Sequence, residues 1–91
     1  MNIPTDPPTT AAQLRRLYAL LLLHGDPRRR LVLSEKDAWA LADDPEMMAI
    51  YAAFVEMDLE PENPSIRIPR KLYSLEIEVD YGLASGQMIL T

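Results

Sequence analysis

The sequence predicts an α+β domain: three helices packed on a small antiparallel sheet of three to four strands. Leu14, Leu17, Tyr18 and Leu21 recur at helical spacing. Tyr73, Leu75, Ile77, Val79 and Tyr81 alternate with Ser74, Glu76, Glu78 and Asp80, the pattern of a strand with one buried face. The 91 residues, 48% apolar and 25% charged, suffice for one globular core and leave no room for a second.

Residues 1–8 contain three prolines and read as a flexible arm, with 9–91 as the single domain. Thr9 or Thr10 is placed to cap a first helix running to about His24, where Gly25 and Asp26-Pro27 end it. Leu20, Leu22 and Leu23 spread apolar surface around its last turns, so this helix is central or also meets a partner. Arg29 to Leu33 reads as a short edge strand. Ser34-Glu35-Lys36-Asp37 resembles a capping box with Asp in place of the longer Glu, opening a second helix through Ala38, Trp39, Leu41 and Ala42. Asp44 as cap and Pro45 at the first position start a third helix, expected to carry Met47, Met48, Ile50, Tyr51, Phe54, Val55 and Met57 as far as Pro61. A short strand holds Ile66 and Ile68 and is cut by Pro69. The Tyr73–Tyr81 strand then turns through 82–86, and Gln87 to Leu90 returns as its partner. The element order α-β-α-α-β-β(-β) is that of a winged helix, in which the third helix reads DNA and the last two strands form the wing; no motif accompanies the order.

The net charge of −5 is unevenly spread. Residues 1–33 hold five arginines against Asp6 and Asp26, whereas 34–62 hold nine carboxylates against Lys36 alone. A one-sign field of this kind steers association with a basic surface and opposes nonspecific contact with nucleic acid. Absence of cysteine removes disulfides, thiolate nucleophiles and thiolate metal sites. The longest apolar run, Leu17–Leu23, is far short of the ~20 residues that span a bilayer, and no positive charge precedes an apolar stretch at the N-terminus as in a secretory signal. The expected location is the cytoplasm, a host's if a phage encodes the chain.

Three constellations invite chemistry. His24 with Asp26 has the composition of an acid–base pair, yet no serine lies in a nucleophile elbow, and a histidine at a helix end complements the dipole. Arg28, Arg29 and Arg30, with Arg67, Arg70 and Lys71, could grip phosphate. Alternation sends Arg29 to the side opposite Arg28 and Arg30, however, and no aromatic residue is interleaved for base stacking. Asp43, Asp44 and Glu46 lack the spacing and glycine of a calcium loop and read as helix caps. The methionines Met47, Met48 and Met57 suit either a core or an adaptable binding surface.

The reading is therefore a non-catalytic protein-binding module (an adaptor, inhibitor or immunity-type factor) without cofactor or metal. Its acidic face, Asp43, Asp44, Glu46, Glu56, Asp58, Glu60 and Glu62, is expected to meet a basic partner. The alternative is a winged-helix DNA-binding regulator using Arg28, Arg29, Arg30, Arg67, Arg70 and Lys71. Self-association is expected, if at all, through an edge strand or the leucine-rich first helix. Trp39, Tyr51, Phe54, Leu17, Leu21, Leu75 and Ile77 are the expected core.

Overall fold

In the computed structural model, which describes residues 2–4, 9–50, 52–60 and 63–91, the chain is α+β. Strand β1 (Asn2–Pro4) precedes helix α1 (Ala11–Leu23), strand β2 (Arg30–Ser34) and helices α2 (Glu35–Ala42) and α3 (Pro45–Ala49). A 3-10 turn (Ala52–Phe54) leads to strands β3 (Val55–Glu60), β4 (Asn63–Leu72), β5 (Leu75–Asp80) and β6 (Gln87–Leu90). The strands form one sheet in the order β1-β6-β2-β5-β4-β3. Tyr51 and Glu62, expected in the core and on the acidic face, lie outside the described residues.

Local signals set the helix ends. Thr10 Oγ1 caps α1 by accepting from the Gln13 N–H at 3.3 Å. At the other end Gly25 takes φ 61°, and the N–H groups of Gly25 and Asp26 bond to the carbonyls of Leu22 and Leu21, a Schellman closure that a left-handed glycine permits. Ser34 is both the last residue of β2 and the cap of α2, accepting from the Asp37 N–H at 3.1 Å. Asp44 caps α3 and also accepts from Ala11 N–H at 2.8 Å, so one carboxylate holds the starts of two helices.

The core lies between the three helices and one sheet face. Leu14 and Leu21 of α1, Ala38 and Leu41 of α2 and Met47 of α3 meet Leu31, Leu33, Leu72, Leu75, Ile77, Met88 and Leu90. Their period-two spacing in β2, β5 and β6 leaves Arg30, Glu76, Glu78 and Gln87 exposed on the other face.

The sheet differs from the expected one in pairing and in size. It has six strands and is mixed, since β2 runs parallel to β5, with Leu31 opposite Ile77 and Leu33 opposite Val79. Parallel neighbours need a long connection, and the segment from Glu35 to Ser74 supplies it. Strand β6 does not return beside β5. It inserts on the far side of β2, antiparallel, so the last two strands form no wing and β2 is central, not an edge. Asn2–Pro4, within the segment read as an arm, pairs with Gln87–Ile89 of β6.

The third helix also departs from expectation. It stops at Ala49, and Val55–Glu60 is extended. Apolar residues 47, 50, 54 and 57 fit a helix, but Val55, Met57 and Leu59 also alternate with Glu56, Asp58 and Glu60, and pairing with β4 selects the second period. Pro69 does not cut β4. The strand shifts register there, Lys71 opposing Glu56 and Pro69 opposing Met57, which leaves Arg70 as the extra residue of a bulge. Pairing of β4 with β5 is confined to Lys71↔Glu76 and Leu72↔Leu75, so no ladder on that side requires an N–H from Pro69.

These changes move two expected core residues outward: Phe54 is 48% exposed and Trp39 37%. Leu17 is half-buried, while Leu21, Leu75 and Ile77 are buried as expected. Leu14→Ala should therefore cost about 2–5 kcal/mol in chemical denaturation, and Phe54→Ala less than about 2 kcal/mol because much of its ring already meets water. Asp37 is 1% exposed and its carboxylate accepts from Ser34 Oγ (2.9 Å), the Gly86 N–H (2.9 Å) and Ser85 Oγ (3.3 Å). Asp37→Ala should cost about 2 kcal/mol in the same assay, since it strands the buried Ser34 hydroxyl and the half-buried Gly86 N–H.

Candidate functional site

The structure breaks the expected acidic face into separate pieces. Asp43 and Asp44 sit at the α2–α3 junction, Asp43 as C-cap of α2 and Asp44 occupied by its two backbone donors. Glu46 is bonded to Arg15 across from α1. Glu56 and Asp58 lie on β3, where antiparallel pairing brings the basic residues of β4 beside them: Lys71 opposes Glu56, and Arg70 Nε donates to Asp58 at 3.2 Å. Glu60 ends β3, opposite Asn63. Among the described residues the fold thus interleaves the segment's carboxylates with cations from other segments.

The basic residues are likewise dispersed. Arg28 donates to both carboxylate oxygens of Asp26, at 2.6 Å through Nη2, and that carboxylate also accepts the Arg28 N–H at 3.0 Å. Arg29 bonds to the carbonyls of Asp26 and Arg28 and lies over the Tyr18 ring, 5.6 Å from its centre. Arg30 points to the open sheet face and pairs with Glu78 at 3.3 Å. Arg70 and Lys71 join Arg30, Glu56, Glu76 and Glu78 around a hollow of about 600 Å³ on that face, where three cations meet three carboxylates. The three neighbouring arginines therefore do not converge: Arg28 takes the Asp26 carboxylate, Arg29 the carbonyls of Asp26 and Arg28, and Arg30 the Glu78 carboxylate. His24 is the exposed C-cap of α1, while the Asp26 carboxylate is committed to Arg28. Among the described residues no group of three potential metal ligands comes together, and no helix is long and apolar enough to cross a membrane.

An aromatic stack was not legible as such. Tyr18 of α1 stacks parallel on Tyr73 at 5.8 Å, and Phe54 tilts against Tyr73 at 6.1 Å. Tyr73 occupies the β4–β5 turn at φ 56°, a region that favours glycine; its N–H bonds to the Phe54 carbonyl at 2.6 Å. The residues of this stack are 18, 54 and 73, so only tertiary structure interleaves them with Arg29.

The second feature is a hollow of about 530 Å³ between α2, α3 and β4. Trp39, Pro45 and Met48 give it apolar walls, and Asp43 and Asp44 lie on the helical side with Arg67 on the β4 side. Met48 is 82% exposed, although Met47 beside it is buried and Met57 is half-buried. The short helix α3 turns one methionine to the core and the next to solvent. Arg67 has no carboxylate in ion-pair range among the described residues.

No family model matches this chain, and neither a curated protein nor a solved structure matches it significantly.

The bonds from Arg28 hold the Asp26 carboxyl down to about 2, below its ordinary 3.8. A lowered folded-state value stabilises the fold above the unfolded pKa, and that contribution is lost as pH falls from about 4 to about 2. Asp26→Asn should flatten the melting temperature against pH in that window; an unaltered acid limb would remove the Asp26–Arg28 pair as its cause.

Proposed function

We propose that the protein is a non-catalytic protein-binding module whose contact surface is the α2–α3 hollow. The supporting observation is the exposure of Trp39 and Met48 beside one another on its rim. Tryptophan is an interface anchor because it offers a large rigid apolar face at small entropic cost, and methionine adapts its shape to a partner. Met48 and the uncovered part of Trp39 keep apolar area available for association. Asp43 on the same rim offers an exposed carboxylate to a cationic group of the partner, with Arg67 across the hollow for an anionic one. This reading narrows the acidic face to its α2–α3 end, where Asp44 acts as scaffold and not as a contact.

The experiment is site-specific photo-crosslinking in the native cell, with the reactive residue at position 48 and, as control, at position 76 on the opposite sheet face. A discrete protein adduct is expected from position 48 and not from 76. It should disappear when Trp39→Ala is introduced, measured at a temperature where the variant, whose melting curve is lowered by loss of the packed part of the indole, is still folded. Equal adducts from both positions, or an adduct indifferent to Trp39→Ala, would reject the hollow as the contact surface.

A further inference from the structure

The outer face of α1 carries a second apolar surface, independent of the α2–α3 hollow. At about 100° per residue, Leu23 stands about 180° around the helix from the core residue Leu14. Leu20 and Leu22 flank it on either side, and all three are exposed, Leu23 by 76%. The exposed Ala19 lies on the same face one turn back, followed by Arg16. Arg16 is exposed and, unlike Arg15, holds no carboxylate among the described residues. The helix has no basic residue in its last turn and no acidic residue in its first.

We infer that this face pairs with a second copy of the chain, α1 against α1, antiparallel about a two-fold axis beside Ala19 and Leu20. In that register Ala19 of each copy opposes Leu20 of the other, and the small side chain lets the helices approach closely. Arg16 of each copy opposes the other's Leu23. Its aliphatic stem covers the leucine, and its guanidinium reaches the negative end of the other helix, whose last turn holds no lysine or arginine and whose cap is the exposed His24. A two-fold contact satisfies both ends at once because the same patch meets itself. A parallel arrangement would instead stack Arg16 on Arg16. Charge complementarity therefore selects both the occupant and its direction.

A contact built from one helix face is small, so the dimer is expected to be weak and reversible, forming between ~5 and ~300 µM. Sedimentation velocity over that range should show a concentration-dependent shift from monomer to dimer in the wild-type chain. Leu23→Glu should keep the chain monomeric throughout, and its melting curve at low concentration should match wild type because the leucine is exposed. Arg16→Glu should weaken association several-fold at low salt, and added salt should narrow that difference. A wild-type chain that stays monomeric at the upper limit overturns the inference, as does a Leu23→Glu chain that associates as well as wild type. Monomeric protein that cosediments with anionic vesicles through Leu23 would also overturn it, assigning the face to lipid.

Discussion

The Asp37 carboxylate is the tie on which the topology depends. Strands β5 and β6 lie on opposite sides of β2, so the residues joining them must pass over the end of β2, where the chain is already turning into α2. In this crossing the half-buried Gly86 places its N–H on Asp37 Oδ2 while Ser85 reaches Oδ1. The same carboxylate accepts from Ser34 Oγ, and Ser34 in turn caps the helix through the Asp37 N–H. Asp37 is shorter than the glutamate of an ordinary capping box, and its free oxygens serve the crossing loop. Its position in the first turn of α2 favours negative charge there. With that loop fixed, β6 is inserted beside β2, and Met88 and Leu90 enter the core.

What the sequence shows in advance is what neighbours along the chain decide. Thr10, Ser34 and Asp44 are caps, Pro45 opens α3 and Gly25 ends α1, each through contacts within a few residues. The α+β class follows from the same periodicities. Long-range pairing is where the reading fails. Val55–Glu60 satisfies two periods, and only β4 chooses between them. Pro69 looks like a strand breaker until a bulge and a one-sided ladder make its missing N–H harmless. Tyr73 gives no turn signal, since a tyrosine at positive φ is sustained by Tyr18 and Phe54, distant in sequence. The parallel β2–β5 pairing has no local signature at all.

The same division governs the surface. Counted along the chain, 34–62 is strongly acidic, but charge acts through space, and the β3–β4 hairpin lays Arg70 and Lys71 against Asp58 and Glu56. Asp44 and Glu46 are drawn inward to Ala11 and Arg15, so the carboxylates that make the segment acidic also dock α3 on α1. Exposed pairs of this kind each contribute only ~0–1 kcal/mol. The doubly capped Asp44 contributes more, because two helix starts would otherwise lose an acceptor.

Recognition then divides by layer. The open sheet face intersperses cations and carboxylates, with Arg30 paired to Glu78 and Lys71 in register between Glu56 and Glu76. The helical layer has the opposite character. Helix α3 is a single turn and α2 only two, too short to bury a tryptophan and two adjacent methionines on one side. Trp39 and Met48 are left on the rim for that geometric reason, and Leu20, Leu22 and Leu23 remain outside because α1 has the sheet on one side only. Most of the large apolar side chains left exposed lie on the helices, with Leu59 on β3 and Tyr81 after β5 as the exceptions outside them and the 3-10 turn.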